Sequence, residues 1–308
     1  MTQVLHDPAI TAPTAPERGE SLWRQHLSDY FAAPTAYVGL GLFLVLLVVA
    51  VGAPWIAPQN PYDLAQLDIM DGRLKPGSMG LGGFTYWLGT DEQGRDMLSA
   101  ILYGLRISMF VAVTATVIAC TVGAAVGVAA AYAGGRVESL VMRAVDLQLS
   151  FPAILIALVL LAVFGRGIDK VVISLVVVQW AYYARTVRGS ALVERNREYI
   201  EAARCLALPH RRIVFRHLLP NCLPPLIVVA TVQVAHAIAL EATLSFLGVG
   251  VPVTEPSLGM LIKNGYDYLL SGKYWISTYP GIALVLAIVA INLVGDRLRD
   301  VLNPRLSK

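Results

Sequence analysis

Charge is scarce in this sequence: 15% of its 308 residues are Asp, Glu, Lys or Arg and 56% are hydrophobic, whereas soluble domains carry about 25% charged residues. Together with a mean hydropathy of +0.62, this excludes an ordinary soluble domain. The net charge of +3 is too small, and the basic residues too clustered, for a nucleic-acid-binding surface. Cysteine is almost missing. Cys120, Cys205 and Cys222 form no CxxC pair, so neither a structural disulfide nor a zinc module is expected. A phosphate loop of the form GxxxxGK followed by Ser or Thr is also missing, and the glycine-rich pieces GLGL (39–42) and GLGG (80–83) do not join a strand to a helix. No Ser/His/Asp or Cys/His constellation is supported; His236 stands alone in an apolar run and reads as a packed core histidine. The chain is therefore expected to have no catalytic residue, no metal ligand and no ATP site of its own.

What is abundant is uncharged length. A membrane-crossing helix needs about 20 apolar residues, because its backbone must be satisfied within the helix. Charge is absent from 30–62, 107–135, 147–165, 222–240 and 274–295. A shorter run, 171–184, lies between Lys170 and Arg185, whose long stems can reach the two interfaces. These six runs predict an all-α membrane protein with six spans. The first is longer than the apolar part of a signal peptide and follows a polar leader, so it is expected to stay as an anchor. In that leader Trp23, Leu27, Tyr30 and Phe31 recur at helical spacing after a Ser21 cap, which fits either an interfacial helix or a plain juxtamembrane segment.

Orientation follows from the basic residues. With the N-terminus in the cytoplasm, sixteen Lys and Arg fall on inner segments and seven on outer loops, and Arg106 lies at the outer mouth of the second span. Positive residues are retained inside, so both termini are expected in the cytoplasm. The chain then divides into a cytoplasmic tail (1–36), a first span with an outer loop (37–103), a membrane core (104–296) holding a basic cytoplasmic loop (190–221), and a second tail (297–308).

That basic loop includes EYIEAARCLALPHRRIVFRHLLPN (198–221). Topology alone would need only its charge. It also has helix grammar: Ile200, Ala203 and Leu206 share one face, a break follows at Ala207-Leu208-Pro209, and Ile213, Val214, Phe215 and Leu218 resume. Two short helices with a bend present a protrusion, in which small Ala202 and Ala203 admit a close partner and Glu201 offers a directional, charged contact.

At these residues the sequence resembles the EAA loop of permease subunits in binding-protein-dependent ABC importers: Glu201, Ala202, Ala203, Leu219 and Pro220 match, while Ala207 stands where the family has Gly. Alanine tolerates positive φ poorly. WLGTDEQGRDMLSAILYGLRIS (87–108), RAVDLQLSFPAILIAL (143–158), EATLSFLGVGVP (241–252) and GDRLRDVLNPRL (295–306) extend the resemblance to C-type permeases of dipeptide, oligopeptide and nickel importers. Leu258 replaces a common Trp, and Arg297 a smaller residue. The resemblance implies the type I ABC importer permease fold. It also implies half of a translocation path for peptides, or for nickel or another small solute. The implied partners are a second permease, two cytoplasmic ATPases that bind ATP and Mg, an extracytoplasmic substrate-binding protein, and surrounding lipid, with no nucleic acid. Glu201 and the small pair after it would dock into an ATPase cleft. A carrier driven by an ion gradient is the rival reading, with Glu241 as its one candidate acid.

Within the membrane, Ala119, Gly123, Gly127 and Ala131 recur every four residues and predict a packing seam against an unspecified helix. Arg143 and Asp146 are one turn apart and form either a structural ion pair or a gate. Pro152 is expected to kink the third span. Thr114, Thr116, Thr121, Gln179, Thr231, Gln233 and Asn292 either line a polar path or hydrogen-bond between helices. The outer loop carries six acids and patterned turns at Gly89–Asp91 and Gly94–Asp96, and either meets a binding protein or packs on its own chain.

Overall fold

The computed structural model describes residues 22–63, 67–252 and 254–302. Ser21, the expected cap, lies outside them. Helix α1 (Leu22–Phe31) leads into α2 (Pro34–Ile56). The outer segment that follows holds a short 3-10 turn and one two-residue hairpin, β1 (Ser78–Met79) with β2 (Thr85–Tyr86). Then come α3 (Met97–Ala133), α4 (Gly135–Ser150), α5 (Ala153–Phe164), α6 (Ile168–Glu194) and α7 (Glu198–Cys205). Helix α8 (His210–Arg212), a π turn (Ile213–Leu218) and α9 (Leu219–Phe246) make one continuous rod, His210–Phe246. Helices α10 (Leu258–Tyr266) and α11 (Trp275–Leu302) complete the described chain.

Four of the expected spans are long apolar helices: Pro34–Ile56, Met97–Ala133, His210–Phe246 and Trp275–Leu302. The third is not a straight span. Phe151 is extended (φ −90°, ψ 142°) and Pro152 starts a new helix, so α4 and α5 meet at 91°. Proline lacks the N–H that would continue the ladder and drives the residue before it out of the helical region. The result is a break and not the expected kink, and the 12 residues of α5 span only about 18 Å. The short run 171–184 lies inside a 27-residue helix, α6. Its charged ends suit a helix flanked by α3, α4, α5 and α9 better than one bathed in lipid. Helix α3 begins ten residues before the uncharged run 107–135, and α11 continues through the expected C-terminal tail to Leu302.

Helix α3 is the axis. It packs along α6 more extensively than any other pair of helices, and the glycine stripe is the reason. A Cβ on Gly123 would lie 2.4 Å from the Trp180 carbonyl oxygen, and one on Gly127 would lie 2.5 Å from that of Ala184. The seam is therefore internal to the chain. Thr116 hydrogen-bonds Gln179 (3.3 Å), whose Nε2 donates to the Gln233 carbonyl (3.1 Å), so these polar residues tie α3, α6 and α9 together.

Glu241 is fully buried, yet Ser108 and Ser245 donate to its two carboxylate oxygens at 2.7 and 2.8 Å. Two hydroxyls reduce the cost of a buried acid and join α3 to α9. The segment between α2 and α3 is folded on itself. Arg95 donates to buried Asp91 (2.6 Å), Tyr86 to Asp71 (3.1 Å), and Asp96 caps α3 by accepting from the Ser99 amide (2.8 Å). Two of the three residues that depart from the resemblance have local tasks here. Leu258 is buried beside Gly104, and Arg297 donates to the Asp29 and Tyr30 carbonyls (2.6 and 3.0 Å), closing the end of α1.

Candidate functional site

The basic loop folds into a braced knob. Helix α6 ends at Glu194, and the Arg195 guanidinium donates to the Ala131 carbonyl on the last turn of α3. Arg197 is extended (φ −80°, ψ 147°) and turns the chain into α7. There Ile200 and Ala203 bury against Ile213, Tyr132 and Leu208. Tyr132, at the end of α3, also shares a hydrogen bond with the His210 ring. Tyr199 donates to Glu194 (2.6 Å) and accepts from Asn221 (3.0 Å), which links α6, α7 and α9. Burial and the Glu194 carboxylate push the Tyr199 phenol up to about 12, so it remains a donor at neutral pH.

The bend falls where the sequence departs from the EAA pattern. Ala207 has φ +52° and is one of two described non-glycine residues with positive φ. Its amide donates to the Arg204 carbonyl (2.9 Å), and that of Leu208 to Ala203 (3.2 Å). Pro209 then caps α8. A left-handed alanine costs about 1–2 kcal/mol. Ala207→Gly is therefore expected to stabilise the knob by about 1 kcal/mol, seen as slower amide exchange across α7. Unchanged or faster exchange would show that the surrounding contacts, not the residue type, hold this bend. Just before Leu219-Pro220 the rod takes its π turn, where the proline ring cannot continue the α-helical ladder.

Not all the expected residues reach the surface of the knob. Glu201 and Ala202 are exposed, and among the described residues no group bonds the Glu201 carboxylate. Ala203 is only 5% exposed and packs inward. Leu219 and Pro220 set the entry to α9, away from the tip. Leu206 does not share the buried face of Ile200: α7 ends at Cys205 and Leu206 swings out, 74% exposed, as is Phe215 at 67%. Spacing alone does not reveal either, because α7 stops one residue before Leu206 and the π turn Ile213–Leu218 shifts the register at Phe215. Arg204, Arg211, Arg212 and Arg216 flank this pair in the sequence and are exposed.

Arg143 and Asp146 do not pair. Asp146 binds Arg185 on α6, and Arg188 donates to Glu138 from Nε (2.8 Å) and Nη2 (2.6 Å). Two ion pairs thus clamp α4 to α6, a contact that an i,i+3 reading of α4 alone missed. A groove of about 940 Å³ opens between α6, α9 and α11, past Tyr182, Thr186, Gln233 and Arg299, beside Glu194 and Asn221 at the base of the knob. Among the described residues no three His, Cys, Asp or Glu side chains gather where a metal could sit.

Residues 123–308 match the family of binding-protein-dependent transport system inner membrane components, and residues 21–76 match the N-terminal TM domain of oligopeptide transport permease C. A putative peptide transport system permease protein of Brucella suis is 42% identical over 87% of each chain. The di/tripeptide transport system permease protein DppC of Pseudomonas aeruginosa is 38% identical over 86% of this chain and 87% of its own. The dipeptide transport system permease protein DppC of Escherichia coli is 37% identical over the whole of both. Among solved structures, an inward-facing MetNI methionine ABC transporter chain superposes with TM-score 0.56 at 23% identity, covering 67% of this chain and 98% of that one.

Proposed function

The chain belongs to the binding-protein-dependent transport system inner membrane components, and from that footing we propose that it is one of two permeases in an ATP-driven importer of short peptides. The single observation that carries the coupling is the braced knob, on which Glu201, Leu206 and Phe215 are exposed. The sequence carries no GxxxxGK phosphate loop, and in this reading two cytoplasmic ATPases that bind ATP and Mg supply the energy and grip this knob. Arg195 and Tyr132 fasten it to α3; moving it therefore moves the ends of α3 and α6 and shifts the balance between two conformations. The groove beside Glu194 and Asn221 forms the inner half of the path, and the second permease completes it. Peptides are the proposed cargo because a relative matched over its full length is named for dipeptides and another, matched over 87% of its length, for di/tripeptides. An extracytoplasmic binding protein delivers them, and lipid surrounds the bundle.

A gradient-driven carrier would need a membrane acid free to bind and release an ion, whereas Glu241 is held by two serines. In proteoliposomes holding the complete importer, peptide uptake is expected to require ATP and Mg and to survive collapse of every ion gradient. Gradient-driven uptake without ATP would overturn the reading. Orientation has its own test in the native cysteines: Cys205 is exposed on α7, Cys120 half-buried and Cys222 buried. A membrane-impermeant maleimide is expected to label Cys205 in inside-out vesicles and not in spheroplasts; the reverse pattern would put the knob outside.

A further inference from the structure

At the end of the bundle opposite the knob, a cleft of about 580 Å³ lies between α2, residues 106–114 of α3 and the segment ahead of α10. Leu47, Val51, Trp55 and Phe110 wall it, and two side chains of opposite charge reach it, Arg106 and Glu255. A second cleft shares Phe110, Thr114, Ile168 and Glu255, so the space continues past the acid toward the Asp169–Lys170 pair. Among the described residues, no ion pair within 4 Å includes Arg106 or Glu255. The two charges are left for something between them. Tyr62 lines the same cleft as Glu255, its ring edge-on against Tyr103 at 5.4 Å. Arg106 is exposed on α3, immediately before the uncharged run 107–135, and lines the cleft.

We propose that this cleft is a transit site for the two ends of a short peptide, Arg106 receiving the terminal carboxylate and Glu255 the terminal ammonium. The proposal rests on the transport reading and goes beyond it by giving the permease a ligand site of its own. The volume lies in the range of small-ligand sites, about 300–1,000 Å³. A planar guanidinium binds a carboxylate through two parallel hydrogen bonds, and the apolar walls accept side chains of many kinds while the charges read only the termini. A phosphoethanolamine headgroup offers the same pair of charges, so the test must separate peptide from lipid.

The assembled importer is placed in nanodiscs of phosphatidylglycerol, with or without phosphatidylethanolamine, and titrated with a radiolabelled dipeptide in the absence of binding protein. Saturable binding is expected in both lipids. Arg106→Gln and Glu255→Gln should each weaken it about tenfold or more, and the exchange Arg106→Glu with Glu255→Arg should recover part of the loss. Absence of saturable binding, or binding indifferent to both single substitutions, overturns the proposal. So does binding only in discs lacking phosphatidylethanolamine, with that lipid lost from the importer on Arg106→Gln. Failure of the wild type to show ATP hydrolysis stimulated by the binding protein counts against the coupling reading, and the dipeptide titration still decides the cleft.

Discussion

Gly127→Val is expected to leave almost no correctly folded protein in the membrane. Its Cβ would lie 2.5 Å from the Ala184 carbonyl oxygen and 3.1 Å from the Ala184 Cα, and neither atom can swing aside as a side chain would. Helices α3 and α6 would have to part by about 1 Å, along the seam where Ala119, Val128 and Ala131 pack against Tyr183, Val187 and Ala191. Overpacking that a rotamer change cannot relieve lies at or above about 3 kcal/mol, a large share of the ~5–15 kcal/mol that holds a protein folded. Parting the helices would also stretch the Thr116–Gln179 hydrogen bond beyond its 3.3 Å. Gly189→Ala in the same α6 is the matched control. A Cβ there meets nothing within 4 Å, and removing a helical glycine is worth about 0.5–1 kcal/mol. Thermal unfolding in detergent should therefore rank Gly189→Ala at or above wild type and Gly127→Val far below it. A Gly127→Val protein with wild-type yield and midpoint would show that the seam is not tight.

The seam illustrates how much a sequence discloses and where it stops. A four-residue repeat of small side chains requires a close helix neighbour, and the repeat was legible; that the neighbour is α6 was not, because nothing local distinguishes an internal partner from another subunit. Spans were read where long uncharged runs coincide with helices. The run 147–165 misled because the absence of charge says nothing about continuity, and Pro152 converts one run into two helices at 91°. Arg143 and Asp146 failed as a pair for a similar reason: i,i+3 spacing makes contact available, but Arg185 on a neighbouring helix offered Asp146 a better one. At the knob, Glu201 and the bend at Ala207 were visible in the sequence, whereas the inward turn of Ala203 and the outward turn of Leu206 depend on where α7 ends.

Glu201→Lys is the sharpest test of the coupling, because it separates what the residue does for its own chain from what it does for a partner. Within the chain Glu201 stands in the first turn of α7, where an acid favours the helix dipole by about 0.3–1 kcal/mol. It is exposed, and no described group bonds it. Reversing its charge should therefore shift the thermal midpoint little, as should Glu198→Lys in the same turn. Against an ATPase the balance differs. A charge buried in an interface and left without its partner costs about 2–5 kcal/mol, so a loss near 3 kcal/mol weakens association more than a hundredfold. Membrane insertion should remain normal while co-purification of the ATPases and peptide uptake fall together, and Glu198→Lys should retain both. If the Glu201→Lys protein keeps its ATPases, another part of the knob carries the grip, with Leu206 and Phe215 the exposed apolar residues left to supply it. If both substitutions release the ATPases equally, general charge rather than position governs docking. Only loss specific to Glu201 supports a directional contact at the tip.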